Sequence, residues 1–193
     1  DFGIGGSITS LPVSIEYFRG SKQGTGNLLD WKVSCTSSPT ATMLLERSSD
    51  GRNFASINRI TATSLRCLQP FNYTDAAPAS GINYYRIRVT DADGNSKFSN
   101  IIPILNRERG FDIVSMMPNP VTNKTVLNIA SAVPGNMNIV ITDAAGRRIE
   151  NRSVSLVAGS NQVTLDLSGL AAGTYQLSGF TADGTKTIRF VKE

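Results

Sequence analysis

The sequence predicts an all-β protein made of two consecutive antiparallel β-sandwiches. Apolar residues recur with a period of two, and helical periodicity is almost missing. Gly, Asn, Asp and Pro interrupt the alternating runs at short intervals, as strand-dense folds require. The chain has 193 residues, and a β-sandwich takes about 100.

The elements follow in order. Leu11, Val13, Ile15 and Tyr17 alternate with Pro12, Ser14 and Glu16. Further strands are expected at 29–33, 43–47 and 54–60. The stretch 83–89 puts Tyr85, Ile87 and Val89 on one face and Tyr84, Arg86 and Arg88 on the other. A last strand, 97–104, completes roughly seven in the first half. Asp50-Gly51, Asp93-Gly94 and Asp183-Gly184 lie between alternating runs, where Asp-Gly supports the positive φ of hairpin turns. Asp91-Ala92-Asp93-Gly94-Asn95 has the opening of a calcium loop, but an apolar strand stands where the later glutamate belongs, so a hairpin is expected.

Asn106, Arg107, Glu108, Arg109 and Gly110 form a short polar break, predicting domains at 1–106 and 107–193. Beyond it, strands are expected at 111–114, 125–130, 136–143, 147–156, 162–167, 174–182 and 185–191. Met137, Ile139 and Ile141 share one face, as do Val163, Leu165 and Leu167. Pro118 and Pro120 are read as fixing the path of the chain into the second sandwich.

The sequence excludes several chemistries. It contains no histidine, so neither Ser-His-Asp nor Cys-His nucleophilic systems nor His-ligated zinc arise within it. Its carboxylates fall at turns, and neither an enzymatic activity, a cofactor nor a metal is expected. The net charge is +4, with basic residues scattered, which argues against nucleic acid. No apolar run is long enough for a transmembrane helix. The chain starts at Asp1 and reads as the C-terminal end of a longer secreted protein. Cys35 shares a face with Trp31 and Val33. A buried free thiol and a disulfide to Cys67 both remain open.

Five motifs then occur in a definite order: Pro118-Asn119-Pro120, Asp143-x-x-Gly146-Arg147, Gly159-x-Asn161, Leu170-x-x-Gly173-x-Tyr175 and Ile188-Arg189-Phe190-Val191-Lys192. With them, residues from about 111 to the last resemble the C-terminal sorting domain of the type IX secretion system of Bacteroidetes. The first half is similar to the fibronectin-III/immunoglobulin-like module that often precedes it. The residues carrying that likeness are Leu11-Pro12-Val13, Phe18, Trp31, Glu46-Arg47-Ser48, Asp50-Gly51, Phe54, Tyr73-x-Asp75 and Gly81-x-x-Tyr84-Tyr85-Arg86. It departs from that module at Cys35-Thr36-Ser37-Ser38-Pro39, where acidic and amide residues are frequent.

The resemblance implies a secretion signal behind a structural spacer, exported through the periplasm and outer membrane to the surface or medium. It implies an outer-membrane translocon and a shuttle protein as partners. It also implies a sortase that cuts upstream and joins cargo to anionic lipopolysaccharide, the cut being expected within Asn106–Gly110. Recognition is expected at Pro118, Asn119, Pro120, Asp143, Gly146, Arg147, Gly173, Tyr175 and Lys192. Each has a plainer reading. Gly173 is a turn glycine, Tyr175 is core beside Leu177, Lys192 is a solvated charge, and Asp143–Arg147 is an exposed ion pair. The alternative function is an extracellular adhesion or carbohydrate-binding module using the Tyr84, Arg86 and Arg88 face.

Overall fold

The computed structural model describes residues 13–35 and 38–193. Leu11 and Pro12 of the first expected strand, and Thr36 and Ser37 of the loop after Cys35, lie outside them. In the first half, β1 (Ser14–Gln23), β2 (Gly26–Ser34) and β5 (Phe71–Asp75) form one sheet in the order β1-β2-β5. The facing sheet runs β4 (Ala55–Thr63), β3 (Thr40–Ser48), β6 (Gly81–Asp91) and β7 (Ser96–Phe98), and β8 (Ile102–Asn106) also pairs with β6. In the second half, β9 (Phe111–Met117), β10 (Lys124–Ser131) and β13 (Gly159–Asp166) form a sheet ordered β13-β10-β9. It faces β12 (Arg148–Leu156), β11 (Gly135–Asp143), β14 (Gly173–Thr181) and β15 (Gly184–Lys192), ordered β12-β11-β14-β15. All strand pairs are antiparallel, so the expected all-β fold with two sandwiches is the fold found.

Each pair of sheets encloses its own apolar cluster. Trp31 anchors the first, stacked on Phe71 at 5.9 Å and edge-on to Phe18 at 6.3 Å. Leu127, Ile129, Met137, Ile139, Ile141, Leu165 and Leu177 are fully buried in the second. Cys35 and Cys67 form a disulfide here, with Cα atoms 5.9 Å apart.

Three expectations need correction. The alternation through Ile15 and Tyr17 breaks at a β-bulge, and Phe18 rather than Tyr17 turns inward. The strand expected over 97–104 is two strands, β7 and β8, separated by 99–101. Strand β5 and a 3-10 turn at Arg66–Leu68 carry too short an alternation to have been expected.

Strand β8 joins the two halves. Ile102 and Ile104 enter the first core, whereas Leu105, buried at 1% exposure, belongs to neither core. β8 also packs against β10 and β13, and Lys22 Nζ donates to the Arg107 carbonyl at 2.9 Å. The connector between β8 and β9 is therefore four residues long and tied at both ends. Asn106 exchanges amide hydrogen bonds with Asn27 at 2.9 Å and accepts one from Asn83, and the Gly110 carbonyl accepts from Ala132 N–H. Arg107, Glu108 and Arg109 are exposed between these ties.

Candidate functional site

The strand register of the second sandwich brings the expected recognition residues to one end of one sheet. Asp143 at the end of β11 pairs with Tyr175 on β14, and Tyr175 pairs with Phe190 on β15. Gly173 pairs with Lys192. The Pro118-Asn119-Pro120 corner lies against the same end of β15. Asn119 Oδ1 accepts from Val191 N–H at 3.0 Å, and Asn119 Nδ2 donates to the Arg189 carbonyl at 3.4 Å. Val121 exchanges backbone bonds with Val191 and Glu193 at 2.8 and 2.9 Å. The corner thus covers part of an otherwise open strand edge, whose unpaired backbone groups would template aggregation. Both X-Pro bonds in the corner are cis. The β14–β15 hairpin and the connector lie at the opposite end, and strands of this length separate the two ends by roughly 25–30 Å.

The Asp143 turn is built by backbone satisfaction. Asp143 Oδ1 accepts from Ala145 N–H and Arg147 N–H, each at 2.9 Å, and Oδ2 accepts from Arg147 Nε at 2.7 Å. These bonds, the Arg147 N–H foremost, hold the Asp143 carboxyl below the usual carboxylate range. Gly146 has a φ of +79°, which only glycine adopts without strain. Arg147 is itself largely exposed, so solvent screens the pair and it adds little to stability.

Behind the turn, Tyr175 is buried. Its ring stacks on Phe190 at 5.5 Å and its hydroxyl donates to the Ala171 carbonyl at 2.9 Å. Gly173 is not a positive-φ turn glycine; it opens β14 in extended conformation. Lys192 is not a solvated charge, because β15 turns it inward beneath the corner, where Nζ bonds the Glu193 carbonyl. What remains open to a partner is a depression of about 410 Å³ lined by Thr142, Asp143, Gly146, Thr174, Gln176 and Arg189. Thr142, Thr174 and Gln176 had not been expected at a recognition surface, and neither had Arg189, which the sequence offered only as part of the last motif. Their signal was the outward phase of β11 and of the β14–β15 hairpin, which are far apart in the chain.

Of the Tyr84, Arg86 and Arg88 face, the two arginines do not stay free. Arg86 Nε bonds Glu46 at 2.7 Å, its guanidinium lies 4.0 Å over Phe54 and 4.5 Å over Phe98, and Arg88 Nε stands 3.5 Å from Glu46. The Asp91 oxygens accept from Asp93 N–H and Asn95 N–H at 3.0 and 2.8 Å, closing the expected hairpin between β6 and β7.

Part of the chain matches a known family. Residues 115–193 match the model of the secretion system C-terminal sorting domain. No curated protein matches the chain. Among solved structures, dimeric latent PorU from Porphyromonas gingivalis is similar at 14% identity and a TM-score of 0.39, over 95% of this chain and 20% of that one. A biofilm associated protein, BSP domain, is similar at 13% and 0.35, over 92% and 29%. A glycosyl hydrolase family 2 member from Bacteroides cellulosilyticus is similar at 10% and 0.43, over 89% and 23%. This chain spans less than a third of the length of each of these structures. Residues 115–193 are a type IX secretion C-terminal sorting domain, which marks a protein for the cell surface or the medium, and a β-sandwich module precedes it.

Proposed function

We propose that the sorting domain is read at the end of the sheet where Asp143, Gly146, Arg147, Gly173, Tyr175, Lys192 and the Pro118-Asn119-Pro120 corner converge. The supporting observation is the cross-strand register, which gathers residues from four separate stretches onto one small surface. In this reading Tyr175, Gly173, Lys192 and the corner shape the surface from beneath, and Asp143, Arg147, Gln176 and Arg189 meet the partner. The partner is the outer-membrane translocon with its shuttle. The protein's own role is non-enzymatic, with residues 1–106 as the spacer and 107–193 as the address.

The same reading puts sortase cleavage within Asn106–Gly110, ahead of transfer to anionic lipopolysaccharide. The ties at Asn106 and Gly110 leave too little extended chain for a protease cleft. Cutting therefore requires that the connector first open, which is most easily done by releasing β8 from β10 and β13.

Deleting β15 does not test recognition, because it also removes Phe190 and Ile188 from the core. Surface changes do. In a type IX-competent bacterium, with the chain exported as a reporter fusion, Arg189→Glu and Gln176→Ala should cut surface delivery by about tenfold or more, the cost of one lost charged or polar contact. Asp183→Ala, at the far end, should leave delivery unchanged. Equal delivery by all three, with thermal unfolding intact, would remove this surface from the mechanism.

A further inference from the structure

A cavity of about 720 Å³ lies between the two sandwiches, within the range of small-ligand sites. Its first wall is the Asp50-Gly51-Arg52 loop with Tyr84, Ile101 and Pro103. Its second wall is the outer face of the β13-β10-β9 sheet, including Val114 and Met117. Ile101 and Met117 are large apolar side chains left 45% and 63% exposed at this one place.

The polar groups here form an open-ended relay. Gln162 Nε2 donates to Asn128 Oδ1 at 3.1 Å, and Asn128 Nδ2 donates to Ser115 Oγ at 2.9 Å. That direction leaves the Ser115 hydroxyl proton as a free donor at one end and Gln162 Oε1 as a free acceptor at the other. Across the cavity, the Tyr84 ring rests against Gly51 and lines the cleft. Burial first, then the Asp112 and Asp50 carboxylates, push the Tyr84 hydroxyl above its ordinary value, so it remains a protonated donor. The Asp50 carboxylate already accepts from Ser48 O–H, from Arg52 and Asn53 N–H and from Asn53 Nδ2, so its lone pairs are taken and its charge disfavours an anionic ligand.

We propose that this cleft binds a neutral oligosaccharide. The ring of Tyr84 and the methyl-bearing Ile101 and Met117 meet the C–H faces of the sugars. The relay ends and the Tyr84 hydroxyl meet hydroxyls, which both donate and accept. A fully apolar ligand would bury the free relay ends unpaired, at a real cost. An anionic ligand would find Arg52 as its only cation in the lining. The inference stands on this cleft alone and is independent of the sorting reading.

Calorimetric titration of the whole chain with neutral hexasaccharides of glucose, mannose, galactose and N-acetylglucosamine tests it. At least one should bind saturably, with a dissociation constant below about 1 mM. Tyr84→Ala should weaken it about tenfold or more, and Tyr84→Phe and Gln162→Ala severalfold each, as single lost hydrogen bonds do. Tyr84→Phe and Gln162→Ala keep the packing, so they decide the matter even if Tyr84→Ala unfolds. Three results would overturn the proposal: no heat from any neutral sugar at about 10 mM, binding that Tyr84→Phe and Gln162→Ala leave untouched, or binding only to polygalacturonate that salt abolishes.

Discussion

The two sandwiches use the same local turns and close by different means. Asp91 and Asp143 each start a turn in which the carboxylate takes the N–H groups two and four residues on. A glycine at positive φ sits three residues on in both. Likewise Asn83 and Asn161 each bond the backbone N–H and carbonyl four residues back, after Gly81 and Gly159 at positive φ. Such turns are therefore sandwich punctuation, present whether or not a domain is an address. The closures differ. The first sandwich is cross-linked by Cys35–Cys67 and by a buried polar chain running Asn27–Tyr85–Asp75–Arg47. The second has no cystine, and its core is completed by Phe190 and Ile188 of its last strand, held at the edge by Asn119 and Val121. The tag cannot finish folding before its final residues are available.

The largest effect expected from this contrast is removal of 184–193. It should unfold the second sandwich outright, since the loss exceeds the roughly 5–15 kcal/mol of a typical domain. Calorimetry should then keep the first transition and lose the other. Phe190→Ala sharpens the point, with about 3–5 kcal/mol lost from the second transition alone by chemical denaturation. Reducing Cys35–Cys67 should do the reverse, weakening the first transition by about 2–4 kcal/mol and leaving the second in place. If reduction moves both transitions together, packing through β8 has made the two halves one cooperative unit.

The smallest effect separates the twin turns by pH. The Asp91 and Asp143 carboxyls are both held below their unfolded value: at Asp91 burial pushes upward but is outweighed by the Asn95 side chain and the turn's N–H groups, and at Asp143 the Arg147 N–H leads. Each thus contributes stability that is full above about pH 4 and is lost as pH falls through the lower folded value. Asp143→Asn should flatten the acid limb of the second transition, and Asp91→Asn that of the first. Unchanged acid limbs in both variants would mean that the turns hold no pH-dependent stability.

The hairpins were legible in advance because Asp-Gly dictates them locally: Asp50-Gly51, Asp93-Gly94 and Asp183-Gly184 all fall between paired strands. The motif residues were legible singly, though not their different places. Exposure could not be read for Lys192, because the phase of β15 and the cover above it depend on the corner seventy residues earlier. Arg86 looked like a free basic face because Glu46 and Phe98 come from other strands and Phe54 from the loop before β4.

By itself the sequence determined what period and turn chemistry decide within a few residues: an all-β chain, two halves, a short connector and the order of the sorting motifs. Only the tertiary structure decided that Cys35 meets Cys67, that the expected recognition residues converge at one end of a sheet, and that a cleft opens between the halves. Each of these depends on which distant strands become neighbours, and register across a sheet is set by the packing of whole faces rather than by local preference.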